Sequence, residues 1–205
     1  MRAESIKLRQ RIDTTFIYVT HDQIEAMTLG DRIAIMKDGF VQQIGTPQEV
    51  FDYPANLFEA GFIGTPQMNF LNGRLEKTAF GYQIQSMEAT VPVCDEMAAK
   101  LSAKDLGNAD VTVGIRPEHI TVQTEASNAI HVTVEVSELM GSEFYLHATV
   151  GQGDQKQNMV LHIQTPDLPP EFRSGVPFGT QIAFTFRNQL IHLFDPATEK
   201  NLLAD

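Results

Sequence analysis

Hydrophobic residues follow different patterns in the two parts of this 205-residue chain. Near its start, residues 15–19 form an unbroken apolar and β-branched run, which is typical of a strand covered on both faces in a parallel sheet. Helical patterns flank this run, at residues 2–12 and from Thr20–Asp22 to about Gly30. A helix, a strand and a helix in succession predict an α/β unit.

Local signals then predict a hairpin followed by two short helices. The dipeptide Asp38–Gly39 separates two apolar runs and favours a tight β-turn. Thr46 and Glu49 have the spacing of a capping box, with Pro47 at the first helical position. Asn56 is placed to cap a further helix, which ends at Gly64-Thr65-Pro66.

After about residue 68 the pattern changes to short alternating runs, which are typical of strands with one buried face. Strands are expected at 70–76, 82–86, 91–93, 111–116, 119–124, 130–140, 144–150, 158–163, 180–186 and 190–194, and a helix or a loop of helical composition at 96–106. Many short strands with turn residues between them predict a sandwich or a small barrel. We therefore expect two domains, residues 1–66 and 67–205.

Composition narrows the classes of function. The net charge is -11, from 15 basic and 26 acidic residues. This charge argues against nucleic acid and against an anionic lipid surface as partners, because both bind basic surfaces. Cys94 is the only cysteine, which excludes a disulfide within the chain and indicates a reducing compartment. No apolar run approaches the ~20 residues that span a bilayer.

His21 is the candidate for chemistry in the first domain. It follows the apolar run at the corner where a helix begins, and open α/β sheets bind ligands at the carboxyl ends of their strands. Asp22 is most simply a helix N-cap with Glu25 completing a capping box, although Thr20 with Gln23 fits nearly as well. From position alone, a corner histidine without a ligand is the simpler interpretation of His21.

The second domain offers no convincing catalytic or metal-binding pattern. Arg116, Glu118 and His119 could suggest acid–base chemistry, but a turn around Pro117 explains them more simply. The other histidines lie on predicted strands without paired ligand spacing, namely His131, His147, His162 and His192. A single cysteine provides no zinc motif. We therefore expect no metal site.

Several motifs, taken in order, carry a resemblance to a known family. Residues 17–27, which include Thr20-His21-Asp22-Gln23, resemble the end of an ATP-binding cassette (ABC) ATPase domain. Residues 31–36, 43–47 and 68–70 continue the match, in an order that resembles the ATPase subunits of bacterial sugar importers of the maltose and multiple-sugar type. Residues 114–119 resemble the signature of the regulatory domain of these subunits.

The resemblance implies a fold of two parts: an α/β remnant of an ABC ATPase domain, followed by an all-β, OB-fold-like (TOBE-type) barrel. It implies that His21 is the switch histidine, which hydrogen-bonds the γ-phosphate of ATP and helps to position the attacking water. It places Asp22 and Gln23 behind the nucleotide site as support. The regulatory-domain motif comprises Gly114, Arg116, Pro117, Glu118 and His119.

Three motifs that precede the switch histidine in this family do not occur in the 205 residues. They are the phosphate loop G-x-x-x-x-G-K-[ST], an L-S-G-G-Q-like signature, and an apolar strand ending in Asp-Glu that holds magnesium. We therefore expect this chain to be the C-terminal part of such a subunit. The intact subunit would use ATP and Mg²⁺, whereas this part would bind no cofactor and would not hydrolyse ATP by itself.

The implied partners are a second copy of the subunit, membrane permease subunits and regulatory proteins. The implied location is cytoplasmic, peripheral on the inner face of the bacterial plasma membrane. The sugar is not indicated, because in this family specificity lies in the permease and the external binding protein. An alternative of another class is a stand-alone β-barrel module that senses a small ligand or a signalling protein.

Overall fold

The structure is a computed structural model that describes residues 14–123, 129–153 and 156–204. The helix expected at residues 2–12 lies outside these ranges. The chain divides into two compact units between Thr65 and Pro66.

The first unit contains short helices and one hairpin. Its elements are α1 (Gln23–Leu29), β1 (Ile33–Lys37), β2 (Phe40–Gly45), α2 (Pro47–Asp52) and α3 (Leu57–Phe62). Asp38 and Gly39 form the hairpin turn with φ of 53° and 83°, which suits the twist of the flanking strands. The capping box of α2 is present, since Thr46 and Glu49 each accept the other's backbone N–H. Asn56 caps α3, and these local predictions are confirmed.

A small apolar core and a polar network hold these elements together. The core is formed by Ile33, Ile35, Val50 and Ile63. Beside it, the Gln43 side chain donates to the Tyr53 carbonyl and accepts from the Ala55 N–H. The buried Glu59 carboxylate also accepts from the Ala55 N–H, at 2.7 Å, and burial raises the pKa of Glu59. Side chains thus fix the connection between α2 and α3.

The prediction of a buried strand at residues 15–19 is wrong. This segment has no regular secondary structure, and Ile17 and Val19 are 92% and 90% exposed. A strand of a parallel sheet needs neighbours that pair its backbone groups. Among the described residues of this unit, the two strands β1 and β2 pair with each other and not with this segment. Residues 15–19 therefore have the composition of a buried strand but pair with no described sheet.

The second unit is built from two five-stranded antiparallel sheets. The strands of the first sheet are β3 (Asn69–Thr78), β4 (Gly81–Ser86), β5 (Ala89–Pro92), β6 (Ala109–Ile115) and β12 (Ile191–Phe194), in the order β12-β6-β3-β4-β5. Those of the second are β7 (Ile120–Gln123), β8 (Ile130–Met140), β9 (Glu143–Val150), β10 (Gln157–Gln164) and β11 (Gln181–Phe186), in the order β10-β9-β8-β11-β7. Helix α4 (Asp95–Ala103) follows β5 in the chain.

Every strand of this unit overlaps a predicted run, so the expected all-β character of the region is confirmed. His119 is the exception in detail, because it ends a 3₁₀ turn, Pro117–His119, instead of beginning β7. The inner faces of both sheets share one hydrophobic core, to which Leu71, Val113, Leu146 and Leu161 contribute fully buried side chains. Burial of this apolar area is the main favourable term in folding.

Asn69 links the two sheets through its side chain. It lies in β3, is 5% exposed, and bonds both backbone groups of Val160: Nδ2 donates to the carbonyl at 2.8 Å, and Oδ1 accepts from the N–H at 2.7 Å. Val160 belongs to β10, an edge strand of the second sheet. Nearby, the Gln157 amide oxygen accepts from the Asn72 N–H. The Asn69 amide therefore bonds backbone groups on the side of β10 where no described strand is paired.

His192 is buried in β12, whose four residues are all buried. Its ring lies 6.3 Å from that of Phe194, and its exposure is 8%. Burial, and after it the nearby positive charge of Arg116 and His119, lower the pKa of His192 to about 4. The imidazole is therefore neutral in the folded protein at neutral pH.

We expect Asn69→Ala to lower the free energy of unfolding by about 1–3 kcal/mol, because the Val160 N–H and carbonyl lose their partners. Asn158→Ala is the matched control, since Asn158 is on the same edge strand with an exposed side chain and should change stability by less than ~0.5 kcal/mol. Urea unfolding followed by circular dichroism measures both. Equal losses in the two variants would contradict the role of the Asn69 amide.

Acidic pH should lower the free energy of unfolding, because His192 binds a proton more readily in the unfolded chain than in the folded protein. The unfolded chain binds this proton near pH 6.5, whereas the folded chain binds it only near pH 4. Stability from this group is therefore fully present above pH 6.5 and falls as the pH drops towards 4, by about 3 kcal/mol in all.

His192→Gln should flatten this acid dependence, measured as urea midpoints between pH 7 and pH 4. His147→Gln is the control, because it makes the same substitution at an exposed histidine of β9. The interpretation fails if the His192→Gln and wild-type profiles are parallel.

Candidate functional site

His21 lies exposed at the corner immediately before α1. Asp22 caps this helix, since its Oδ1 accepts from the backbone N–H groups of Ile24 at 2.8 Å and Glu25 at 3.1 Å. Of the two caps that the sequence left open, the structure therefore selects Asp22. The cap fixes where the helix begins and thus where the imidazole is presented to solvent.

Hydroxyl groups on the preceding segment hold the same corner. Tyr18 and Thr20 donate to the Glu25 carboxylate at 2.9 and 3.0 Å, and Thr20 Oγ1 accepts from the Asp22 N–H. The hydrogen bond to Glu25 raises the pKa of Tyr18. The sequence pattern placed Glu25 in a capping box with Asp22 and did not predict these bonds to Tyr18 and Thr20. The available signal was the spacing of Tyr18 and Thr20, which places both hydroxyls on one side of an extended segment.

Gln23 makes a contact that no local pattern predicts. Its Oε1 accepts from the backbone N–H of Gly64 at 2.9 Å, across 41 positions of sequence. Gly64 follows the end of α3 and has φ of +117°, a conformation that favours glycine. Gln23 thus ties the first residue of α1 to the last residues of the first unit.

The motif at residues 114–119 forms a packed corner. A side chain at Gly114 would come within 2.6 Å of Met68 Sδ and 2.9 Å of the Phe194 ring, so only glycine fits between them. Arg116 is 1% exposed. Pro117 ends β6, and the His119 N–H donates to the Arg116 carbonyl at 2.9 Å, which closes the expected turn.

The side chains of this motif point to structure more than to catalysis. Burial lowers the pKa of His119, opposed by the Glu118 charge and a hydrogen bond to the Leu190 backbone. Glu118 is exposed whereas Arg116 is buried, so their charged groups are not presented to one shared pocket. The geometry fits a turn that is packed between strands.

The scattered histidines of the second unit form separate contacts. His131 lies 3.1 Å from Glu88, and His147 lies 3.6 Å from Glu138. Within residues 14–123, 129–153 and 156–204, no three His, Cys, Asp or Glu side chains are grouped so that they could hold a metal ion. None of the helices in those ranges is long and apolar enough to cross a membrane.

Two family models match the chain from the end of the first unit onwards. The MalK OB fold domain matches residues 64–120, and the TOBE domain matches residues 113–194. The two matches overlap in the motif at 114–119. They support the barrel-type fold expected for the second domain.

Curated relatives match nearly the whole chain. The uncharacterized ABC transporter ATP-binding protein YcjV of Escherichia coli is 47% identical over 199 residues, 97% of this chain and 51% of its own length. The oligosaccharides import ATP-binding protein MsmX of Bacillus subtilis is 39% identical over 97% of this chain and 52% of its own. The diacetylchitobiose uptake system ATP-binding protein MsiK of Streptomyces coelicolor is 34% identical over 98% and 53%.

The chain spans about half the length of the curated relatives that it matches. The resemblance seen in the motifs is confirmed by these alignments, which cover 97–98% of this chain. This chain carries a MalK-type OB fold domain and a TOBE domain, and its homologues are ABC transporter ATP-binding proteins that include sugar-importer types.

Proposed function

We propose that this chain is part of the ATP-hydrolysing subunit of a bacterial sugar importer and supplies its switch histidine, His21, and its regulatory domain. The supporting observation is the Thr20–Gln23 corner, where an exposed His21 precedes a helix capped by Asp22. Residues 1–66 are then the C-terminal part of the nucleotide-binding domain. Residues 67–205 are the regulatory domain.

The chemistry proposed for His21 is positioning and charge stabilisation. Phosphoryl transfer needs little covalent chemistry from the protein, so a donor held beside the γ-phosphate is sufficient. The Asp22 cap and the hydroxyl bonds to Glu25 keep the imidazole on a defined corner. The described residues offer no group of ligands for Mg²⁺, so no step through that ion is assigned to them.

The second unit would act as a regulatory domain that steadies a dimer of subunits. Its ten strands share one hydrophobic core. A domain with its own core can contact other subunits without changing its fold. The partners would be a second copy of the subunit, permease subunits and regulatory proteins, at the cytoplasmic face of the membrane. Two relatives are named for oligosaccharide import and diacetylchitobiose uptake, which supports a sugar as cargo.

A chimaera can test the assignment of His21. We expect this chain, placed in the matching half of the E. coli relative, to hydrolyse ATP, because that relative's first half is expected to supply the phosphate loop. His21→Ala should lower kcat on the order of a hundredfold or more, with little change in KM. His147→Ala is the control at an exposed histidine. Phosphate release measures all three.

The chain alone should release no phosphate above background. Hydrolysis by the chain alone that His21→Ala abolishes would contradict the proposal. An inactive chimaera, together with saturable sugar or oxyanion binding by the chain alone, would instead favour the stand-alone β-barrel module.

A further inference from the structure

One hydrogen bond joins the His21 corner to the segment by which the chain leaves the first unit. Gln23, two residues after His21, accepts the Gly64 N–H with its side-chain oxygen at 2.9 Å. Gly64 is followed by Thr65, the last residue of the first unit, and by Pro66. The two ends of this bond therefore belong to the corner and to the connection between the units.

Gln23 is not required to cap its own helix. Asp22 already accepts the N–H groups of Ile24 and Glu25. At the other end, the Ile63 N–H donates to the Glu59 carbonyl and closes α3, so the next backbone donor is that of Gly64. A helix end leaves such donors to side chains or water. Gln23 provides the side chain.

Gly64 and Pro66 set the backbone geometry of the connection. Gly64 has φ of +117°, a conformation that residues with a side chain rarely adopt. Pro66 restricts Thr65 to extended conformations. A change in the direction of this segment would therefore act on the Gly64 peptide and, through its N–H, on Gln23.

We propose that Gln23 is a positioning residue that couples the His21 corner to the connection between the two units. By holding the Gly64 N–H it sets the orientation of the first turn of α1, and hence of His21, relative to the Gly64–Pro66 segment. The coupling to hydrolysis rests on the function proposed above, whereas the coupling within the first unit does not.

Gln43 provides a matched control in the same unit. Its side chain makes the same kinds of bond, accepting from the Ala55 N–H at 3.1 Å and donating to the Tyr53 carbonyl at 3.0 Å. These bonds hold the connection between α2 and α3, not the His21 corner. A variant at Gln43 therefore removes comparable contacts from a different place.

Amide hydrogen exchange and NMR on the 205-residue chain test the coupling. Gln23→Ala should speed exchange at the Gly64 amide on the order of tenfold and shift the His21 imidazole signals. Gln23→Glu keeps an acceptor oxygen at the same reach, so it should restore slow exchange at the Gly64 amide. Gln43→Ala should leave Gly64 and His21 unchanged, and it should change exchange at Ala55 little because that N–H keeps its 2.7 Å bond to Glu59.

The chimaera described above extends the test to hydrolysis. Gln23→Ala should lower kcat about tenfold with little change in KM, since small displacements of a positioned group cost rate. Gln23→Glu should recover most of that loss, and Gln43→Ala should remain near the parent.

The outcomes separate the two proposals. Unchanged Gly64 exchange, unchanged His21 signals, or His21-dependent hydrolysis that ignores Gln23→Ala would each overturn the role of Gln23. If the exchange and NMR results are as expected but the chimaera shows no His21-dependent hydrolysis, the coupling stands and the proposed function fails.

Discussion

The fold depends on how backbone groups outside regular pairing find partners, because an unpaired buried N–H or carbonyl costs as much as several apolar contacts return. In the second unit, Asn69 pairs both groups of Val160 at the edge of β10 and so links two sheets. In the first unit, Gln23 and Gln43 accept the Gly64 and Ala55 N–H groups at helix ends. Amide side chains complete the pairing that strands and helices leave open.

The same requirement explains why residues 15–19 do not form a strand. Their residue types are those of a strand buried on both faces, yet burial follows from neighbours and not from composition. Without a described strand beside them, Ile17 and Val19 are exposed, and the Tyr18 and Thr20 hydroxyls hold the segment through their hydrogen bonds to Glu25. An apolar run indicates that a segment is suited to burial. Whether it forms a buried strand depends on neighbouring strands that pair with its backbone.

Structure that depends on residues close together in the sequence was largely predictable. The Asp38–Gly39 turn, the Thr46 capping box and the ten strands depend on residues a few positions apart, and each is present. The Asn69 and Gln23 bonds span 91 and 41 positions, so no local signal contains them. The burial of His192 likewise depends on what packs against both faces of β12, where all four residues are buried. The sequence of β12 alone does not show this.

The candidate site contains both local and long-range hydrogen bonds. Its corner is local: the Asp22 cap and the hydroxyl bonds to Glu25 lie within residues 18–25, so the segment can hold His21 in place without a nucleotide. A long-range bond runs from Gln23 to Gly64, beside the point where the chain enters the second unit. The local bonds determine the shape of the corner, because they join residues that are close in sequence. The bond to Gly64 determines where the first turn of α1 lies relative to the end of α3.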